Sequence, residues 1–536
     1  MGAREAVRTW LRDVLANERA TGLSLLAAGI AVAVVSPLLW LLAAAAERPL
    51  AQLPALLLRP AAVEALVNSL ALVAAVTAGS VLLGVPLAVL VVRTDLPFRR
   101  LFTITAALPI VLPSYIGAFA FVSAFGPQGL LTRRLGLIGD LVPPIYGFVG
   151  TALVLTLFVY PYVFLGTRAA LLTDDPGLIE AARTLNRDRL EAFRAITLPR
   201  ILPGIAGGAL LVALYTLADF GTPAIMHFDT FTRVIFVEAT TFARDLAALL
   251  SLELLGVTAV ILALESRIGG GTDTAGSSRG HRGGEAVQIS LGRWRWPLTL
   301  LPLSVAGLTL VLPLAVLFVW LLRPAISAGG LSFEWGFALN SVGLSAGAAI
   351  LAALAAIPVA YLAARRAGPT STLIERATYL GYAMPGVVLG LALVAFGTSI
   401  APVVYQTIPL LLFAYVVRFL PQAVSTIRSS LLQVDRSLLE AARTLGHPPG
   451  RAFRRVTLPL VAPGIVAGAG LVFLTTMKEL PATLLLHPTG METLVSFIWV
   501  VQDTGAYGKA AVPALALVGL SGLSLFVLFQ RGEFDV

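Results

Sequence analysis

DPGLIEAARTLNRDRLEAFRAITLPRILPGI at residues 175–205 returns as DRSLLEAARTLGHPPGRAFRRVTLPLVAPGI at residues 435–465. The two stretches align without a gap at an offset of 260 residues, and 17 of the 31 aligned positions are identical. Loops that share only their composition do not match so closely, and a repeat at a fixed offset indicates a duplicated unit. We therefore interpret the chain as two related halves, each carrying one copy.

Long apolar runs lie on both sides of each copy. The 536-residue chain is 57% hydrophobic and 12% charged, with a mean hydropathy of +0.89, whereas soluble domains carry about 25% charged residues. A helix needs about 20 consecutive apolar residues to cross a bilayer. Twelve such runs occur, near residues 23–46, 68–92, 101–125, 147–171, 201–219, 246–264, 298–322, 340–363, 376–397, 405–427, 460–478 and 510–530. Six spans per half is an even number, so both halves enter the membrane from the same side. The sequence predicts an all-α polytopic membrane protein with twelve transmembrane helices in two parallel six-helix repeats.

Arginine is concentrated in every second loop between these runs. Arginines precede the first run and follow the second, fourth, eighth and tenth runs. Short arginine-rich loops stay on the cytoplasmic side of a membrane, so we expect both termini and both repeated loops to be cytoplasmic. The net charge of +9 then belongs to basic loops, and it does not indicate nucleic-acid binding. The first run follows a charged stretch of about 20 residues, so we expect a retained span in the cell inner membrane and no cleaved signal peptide.

These features divide the chain into five predicted segments. The stretch GGGTDTAGSSRGHRGGE at residues 269–285 cannot bury apolar surface, and it predicts a flexible tether between the halves. The segments are a cytoplasmic N-terminal segment at 1–22, a first repeat at 23–264 with its loop at 174–199, a cytoplasmic linker at 265–296, a second repeat at 297–530 with its loop at 434–459, and a cytoplasmic tail at 531–536.

Each repeated loop is predicted to form two short helices at an angle. It begins with an aspartate that can cap a helix, carries an alanine pair, turns at a residue that tolerates left-handed backbone, and re-enters the membrane at a proline. These residues are Asp175, Ala181-Ala182, Asn186 and Pro199 in the first loop, and Asp435, Ala441-Ala442, Gly446 and Pro459 in the second. Small side chains allow another protein to approach closely, so we call residues 174–199 and 434–459 the docking loops. The alternative is a pair of interfacial amphipathic helices without a partner.

The docking loops resemble the signature of the inner-membrane subunits of binding-protein-dependent ATP-binding-cassette importers: E-A-A, a glycine at the sixth position after the glutamate, then I-x-L-P. The matching residues are Glu440-Ala441-Ala442, Gly446 and Val456-Thr457-Leu458-Pro459, and in the first loop Glu180-Ala181-Ala182 and Ile196-Thr197-Leu198-Pro199, with Asn186 replacing the glycine. The resemblance implies a type I ABC importer permease fold, in which each loop sits in a groove of an ATP-hydrolysing subunit.

The resemblance also implies the partners. We expect two copies of an ABC ATPase subunit and an extracytoplasmic substrate-binding protein, either periplasmic or lipid-anchored. The chain has no phosphate-binding loop of the type G-x-x-x-x-G-K-[ST], because Gly508-Lys509 is followed by Ala510. We therefore expect a transport subunit without enzymatic activity or a cofactor of its own, with ATP and Mg²⁺ bound by the partner subunits.

Further segments resemble the fused permeases for ferric iron, over nearly the whole chain. They are Asn68-Ser69-Leu70, Asn340-Ser341-Val342, Arg93-Thr94-Asp95-Leu96-Pro97, Ala218-Asp219-Phe220-Gly221-Thr222-Pro223, Phe228-Asp229-Thr230-Phe231-Thr232 and Lys478-Glu479-Leu480-Pro481-Ala482-Thr483. Polyamine, thiamine, sulfate and phosphonate permeases share the docking loop, so these substrates stay open as alternatives.

Two carboxylates occupy equivalent positions in the halves. Asp219 and Glu479 differ by the same offset of 260, and each follows its docking-loop proline by 20 residues. At 1.5 Å per residue this distance is about 30 Å, which puts both near the outer edge of the hydrocarbon. Ferric ion prefers oxygen ligands, so Asp219 and Glu479 are candidate metal ligands, with Tyr215 and Lys478 as further candidates for the substrate pathway. The alternative is that these charged groups pair or extend to the headgroups. His227 and His487, also 260 apart, are predicted in outer loops.

Two other classes of protein fit less well. An ion-gradient transporter would also have twelve spans in two parallel repeats, but it requires carboxylates near the membrane midplane and gives no reason for duplicated docking loops. A membrane enzyme would need convergent polar groups, and the chain has four histidines and no cysteine.

Overall fold

The computed structural model describes the whole chain except residues 1–20, 47–54, 57, 128, 131–144, 174–190, 192, 242–243, 270–288, 323–331, 367, 505–506 and 531–536. Within the described residues the regular structure is helical. The helices of the first half are α1 Thr21–Ala45, α2 Pro60–Arg93, α3 Arg99–Ala107, α4 Ser114–Phe125, α5 Phe148–Thr173, α6 Leu198–Ala218, α7 Gly221–Ile225, α8 Phe231–Thr240 and α9 Arg244–Gly269. The helices of the second half are α10 Arg295–Ala306, α11 Leu312–Leu322, α12 Trp335–Arg365, α13 Pro369–Ala383, α14 Gly386–Ser399, α15 Ile408–Gln433, α16 Arg436–Thr444, α17 Pro449–Ala452, α18 Leu458–Met477, α19 Pro481–Leu486, α20 Leu494–Asp503 and α21 Tyr507–Gln530.

The apolar helices coincide with the predicted runs. Among the described residues, nine helical stretches are long and apolar enough to cross a membrane, and two bent helix pairs meet the same test. A shorter apolar stretch, Gly508–Ser524, lies within α21. Each of the twelve runs read from the sequence falls on one of these segments. The prediction of an all-α polytopic membrane protein is confirmed.

Two of the runs differ from the prediction because they are broken. The helices α3 and α4 meet at 97°, and α13 and α14 meet at 100°. At each break a proline precedes the new helix, and the residue before it is extended, with ψ of 126° at Leu112 and 119° at Met384. A proline disfavours the helical conformation of the preceding residue, which explains the position of both breaks. The runs near 101–125 and 376–397 are therefore pairs of half-length helices.

Equivalent helices form the centre of each half. In the first half α2, α5 and α6 pack on one another, and in the second half α12, α15 and α18 do the same. Glycines allow close approach, as is usual between helices in membranes. On α6, a methyl group at Gly204 would lie 2.6 Å from the carbonyl oxygen of Gly166 on α5. The offset of 260 therefore relates α5 to α15 and α6 to α18 as well as the docking loops, whereas α2 and α12, matched at Asn68 and Asn340, lie 272 residues apart.

The first membrane span of each half, α1 in the first half and α10–α11 in the second, packs against the other half. Helix α1 contacts α12, α13 and α14, and the Trp40 ring lies 5.2 Å from the Phe396 ring. Helix α11 packs against α4, where Val316 shares a buried cluster with Ala120 and Ala124. The two halves are thus interlocked, and neither core is complete without a helix from the opposite repeat.

An Asn-Ser pair near the start of α2 and of α12 anchors a short helix in the same half. The Asn68 amide donates to the carbonyl oxygen of Asp229 at 2.9 Å, and Ser69 accepts from the Phe231 amide at 2.9 Å. In the second half Asn340 donates to the Glu492 carbonyl oxygen and Ser341 accepts from the Leu494 amide, at 2.8 and 2.9 Å. These bonds satisfy backbone groups at the starts of α8 and α20. The repeated Asn-Ser segments therefore have a structural role.

The described end of the linker, from Ile289 onward, is bonded to the first half. Helix α9 continues to Gly269, and residues 270–288 lie outside the described part of the chain. The Ile289 amide donates to the carbonyl oxygen of Arg93 at 2.7 Å, and the Leu291 amide donates to the Asp95 carboxylate at 2.8 Å. The aspartate of the segment Arg93–Pro97 thus fixes the start of the second half against the end of α2.

Adjacent glycines on α6 provide a test of this packing. A methyl group at Gly208 would lie 2.7 Å from the carbonyl oxygen of Tyr162 on α5, whereas a methyl group at Gly207 would meet nothing within 4 Å. Overpacking costs about 1–3 kcal/mol, while alanine favours a helix over glycine by about 1 kcal/mol. We expect Gly208→Ala to lower the thermal unfolding midpoint of the purified protein and Gly207→Ala to leave it unchanged or raise it. Equal midpoints for the two variants would contradict the close contact between α5 and α6.

Candidate substrate cavity and docking loops

A cavity of about 300 Å³ lies between the two halves, at the level of both helix breaks. Pro113 and Pro385, the residues at the breaks, lie in its wall. Its polar and charged lining residues are Ser114, Tyr115, Tyr162, Tyr215, Asp219, Thr258, Tyr379, Tyr382, Arg418, Gln422, Thr475, Lys478 and Glu479. The four residues predicted for the substrate pathway, Tyr215, Asp219, Lys478 and Glu479, are therefore brought together in one place.

Asp219 stands between α6 and α7 and joins a chain of hydroxyl groups. Ser114 donates to the Asp219 carboxylate at 3.2 Å, and the Ser114 and Tyr215 hydroxyls are 3.1 Å apart. The second carboxylate oxygen accepts from the Thr222 amide at 3.2 Å. The last bond satisfies an amide in the first turn of the short helix α7, so Asp219 has a structural role in addition to its place in the cavity wall.

Glu479 has the equivalent position between α18 and α19, and it is paired with a cation. Its carboxylate accepts from the Ala482 amide at 3.2 Å, as Asp219 does from Thr222, and from the Arg418 guanidinium at 3.2 Å. The Glu479 side chain is only 6% exposed and that of Arg418 16%. A buried carboxylate requires such partners, because its desolvation is costly.

Gly386 gives this ion pair the room it needs. Gly386 is the first residue of α14, and a methyl group there would overlap both the Arg418 guanidinium and the Glu479 carboxylate. The second helix break therefore brings backbone without a side chain directly against the ion pair. The start of a helix also favours a negative charge such as that of Glu479.

The predicted positive charge of Lys478 lies in the same wall. Its ammonium group donates to the carbonyl oxygen of Ile110 at 2.9 Å, which links the end of α18 to the turn before the first helix break. Together with Arg418 it supplies two cations beside the two carboxylates. The cavity wall thus carries two basic and two acidic side chains within a largely apolar lining.

Several cavity residues were missed by the sequence reasoning. Ser114 and Tyr115 follow the proline of the first break, and Tyr379 and Tyr382 precede that of the second. Arg418 had a usable signal, because an arginine inside the apolar run at 405–427 is the kind of intramembrane charge that marks a functional site. The tyrosines had no such signal, since an aromatic residue in an apolar run is ordinarily part of the core.

The second docking loop consists of α16 and α17, joined at a glycine. The Asp435 carboxylate accepts from the Ser437 amide at 2.9 Å and caps α16 as predicted, and this bond lowers the pKa of Asp435. Gly446 has a φ of 83°, a left-handed backbone that glycine adopts without strain. Glu440 and Ala441 are exposed, whereas Ala442 is buried. Leu438 and Leu445 add exposed apolar surface, at 47% and 79% exposure. Helix α16 therefore presents an apolar strip beside Ala441.

The second docking loop is tied to the helix bundle at two points. The Phe453 ring packs edge-on against Tyr361 of α12, with ring centres 5.5 Å apart, and the Arg365 side chain donates to the Val434 carbonyl oxygen at 3.1 Å. Pro459 lies in the first turn of α18 and Pro199 in the first turn of α6. In the first loop, Glu180, Ala181, Ala182 and Asn186 lie outside the described residues.

The other candidate residues lie apart from the cavity. His227 is exposed and its ring stacks on Tyr146 at 4.9 Å, and the His487 ring lies 3.0 Å from the Thr483 carbonyl oxygen. Within the described residues there is no group of three or more histidine, aspartate or glutamate side chains that would hold a resident metal ion.

Comparison with known proteins agrees with the repeat. The sequence profile of the binding-protein-dependent transport system inner membrane component matches this chain twice, at residues 80–265 and 356–531. The chain belongs to this family. Its members are inner-membrane permeases that work with a substrate-binding protein and an ATPase. The chain is therefore a multi-pass membrane transport subunit of such a system and not an enzyme.

Three relatives illustrate the range of the family. The chain is 32% identical over 510 residues to the Fe(3+)-transport system permease protein FbpB 2 of Haemophilus influenzae, covering 94% of this chain and 97% of the relative. It is 24% identical to the ferric transport system permease protein FbpB of Actinobacillus pleuropneumoniae, over 80% of this chain and 66% of the relative. It is 32% identical to the molybdenum transport system permease protein ModB of Mycobacterium bovis, over 41% of this chain and 85% of the relative.

The contact at Gly386 generates a prediction for the cavity. We expect Gly386→Ala to separate Arg418 from Glu479, because the added methyl group overlaps both side chains, and to lower substrate uptake at least about tenfold, a change of about 1.4 kcal/mol. The measurement is uptake by vesicles that contain the complete transporter. Gly343→Ala on α12 is the matched control, because a methyl group there meets nothing within 4 Å. If Gly386→Ala transported at the rate of the control, the ion pair would not contribute to transport.

Proposed function

We propose that this chain is the permease of an ATP-driven importer of ferric iron. The observation that carries the proposal is the cavity between the halves, where two carboxylates and a group of tyrosine hydroxyls provide the oxygen donors that ferric ion prefers. The relative from Haemophilus influenzae, whose name refers to Fe(3+) transport, aligns with 94% of this chain and supports the same substrate. The iron is delivered at the outer face by an extracytoplasmic binding protein.

The proposed mechanism is alternating access driven by two ATPase subunits, one at each docking loop. Helix α6 begins at the first docking loop and ends beside Asp219, and α18 begins at the second and ends beside Lys478 and Glu479. Helices of 21 and 20 residues are about 30 Å long and transmit a movement of the loop to the cavity as rigid rods. ATP binding closes the ATPase subunits and moves both loops inward, which opens the cavity outward. Hydrolysis and release reverse the movement.

The proposed topology places both termini, the linker and both docking loops in the cytoplasm. The distribution of arginine supports this orientation. ATP and Mg²⁺ are bound by the ATPase subunits, and this chain contributes no cofactor. In this proposal the chain consists of the five segments predicted from the sequence, and its linker joins two six-helix repeats.

An oxyanion is the second candidate substrate. Arg418 and Lys478 supply two cations in the cavity wall, which suit an anion better than a bare metal ion. The similarity to a permease named for molybdenum transport supports this candidate over 41% of the chain.

Uptake by vesicles decides between these substrates. The vesicles contain this chain with its ATPase, and the purified binding protein is added outside with labelled ferric ion, molybdate, thiamine or a polyamine. We expect ATP-dependent accumulation of ferric ion, at a rate at least about tenfold above the others, a difference of about 1.4 kcal/mol. Accumulation of molybdate without ferric ion would establish the oxyanion, and accumulation of only an organic cation would refute both.

The docking role has its own test. Ala441 is exposed on α16, between the exposed leucines, so Ala441→Arg adds bulk and charge to the surface proposed to enter the ATPase. We expect the variant to lose association with the ATPase in co-purification and to lose uptake, because an unpaired charge buried in an interface costs several kcal/mol. Ala181→Arg tests the first docking loop in the same way. Val403→Arg is the control, because Val403 is exposed in the turn between α14 and α15, at the end of α15 opposite to the docking loop, and it leaves ATPase association intact. Normal association of both alanine variants would refute the docking role.

A further inference from the structure

One buried hydroxyl in the cavity wall has no partner among the residues that the structure describes. Tyr115 is only 5% exposed, and its hydroxyl forms no hydrogen bond to any described residue. An unpaired buried hydroxyl costs about 1–3 kcal/mol, and a ligand in the cavity would supply the missing partner. Tyr115 shares the cavity wall with Tyr215, Asp219 and Glu479.

The neighbouring groups complete a set of oxygen donors. Tyr215, Ser114 and Asp219 are already linked, through the Ser114 hydroxyl at 3.1 Å from Tyr215 and 3.2 Å from the Asp219 carboxylate. Glu479 enters the same wall from the second half. Phenolate and carboxylate oxygens are hard ligands that suit a hard trivalent cation.

We propose that ferric ion is held during its passage by a transit site made of the phenol oxygens of Tyr115 and Tyr215 and the carboxylates of Asp219 and Glu479. This inference rests on the proposed function. As the ion binds, the O–H bond of each phenol breaks, an O–Fe bond forms and the proton leaves to solvent. Iron stays ferric throughout, so the step needs no electron donor.

The paired cations keep this site weak. The Arg418 guanidinium holds one oxygen of Glu479 at 3.2 Å, and Lys478 places a second positive charge in the wall. A ferric ion that enters must displace or share these partners, and the ion pair re-forms when the ion leaves. The site is therefore suited to transit, in contrast to a site built for storage.

The site also depends on the contact between the halves. Tyr115 lies on α4 of the first half, and Glu479 follows α18 of the second. Gly221 of the first half provides the close contact, because a methyl group there would lie 2.7 Å from the Tyr115 Cβ atom and 3.3 Å from a Leu480 methyl group. Separation of the halves at this point removes Glu479 from the phenols and releases the ion.

Visible absorption of the purified complex of this chain with its ATPase tests the site. Ferric phenolates absorb visible light by charge transfer from oxygen to iron, whereas ferric carboxylates without a phenolate do not show this band. Ferric nitrilotriacetate is the probe. We expect the band with the wild-type complex and its loss or reduction by at least half in Tyr115→Phe and Tyr215→Phe. The same variants should need at least about tenfold more ferric ion for half-maximal uptake, as even outer-shell changes at metal sites have that effect.

Tyr160→Phe is the matched control. Tyr160 is also buried and its hydroxyl is also without a partner among the described residues, but it does not line the cavity. The thermal unfolding midpoint of each variant verifies folding, and Tyr115→Phe removes a hydroxyl that makes no hydrogen bond within the described part of the chain. No band with the wild type, or an equal band in Tyr115→Phe and Tyr160→Phe, would overturn the site. Ferric uptake without a band would leave the proposed function intact and refute only the transit site, whereas absence of ferric uptake refutes the function itself.

Discussion

Two interruptions of apolar helices create the interior on which the rest of the structure depends. A continuous helix at α3–α4 or α13–α14 would satisfy all its backbone groups internally and would leave no room between the halves. At Pro113 and Pro385 the chain instead turns by 97° and 100°, and both prolines lie in the wall of the cavity. Irregular backbone at membrane depth is tolerated only where protein or water covers it. The cavity, its charges and its tyrosines are therefore consequences of the same two turns.

The sequence predicted the helices from their apolar length, but its prolines did not predict the two breaks. Apolar length alone located twelve segments, because no other regular structure except a closed barrel satisfies the backbone in lipid. Proline did not reveal the breaks, because Pro37, Pro86 and Pro161 lie inside continuous helices. What distinguishes Pro113 and Pro385 is tertiary packing, such as the contact of Gly386 with Arg418 and Glu479, and a single sequence does not contain this information.

The repeat indicated the two carboxylates of the candidate site but not its cations. Asp219 and Glu479 were found because an offset of 260 residues relates them. The same offset relates Phe158 to Arg418 and Ala218 to Lys478, but there the residue types differ, so the repeat gives no signal. Both halves keep the carboxylate and its bond to an amide in the following short helix. Arg418 and Lys478, in contrast, have no basic counterpart at the equivalent positions of the first half. The cavity is therefore asymmetric even though the helices around it are equivalent.

The exchange of first helices between the halves has a consequence for biosynthesis. Helix α1 is made first, but its packing partners α12, α13 and α14 begin more than 300 residues later in the chain. Until those helices have been inserted, the surface of α1 that will be buried must face lipid or an assembly factor. Contacts between such distant segments form late. A covalent connection between the halves keeps α1 and its later partners at an effective concentration of about the millimolar range. Assembly of the core therefore does not depend on an encounter with a second chain. Fusion of the two repeats thus converts a bimolecular assembly problem into the last step of folding of one polypeptide.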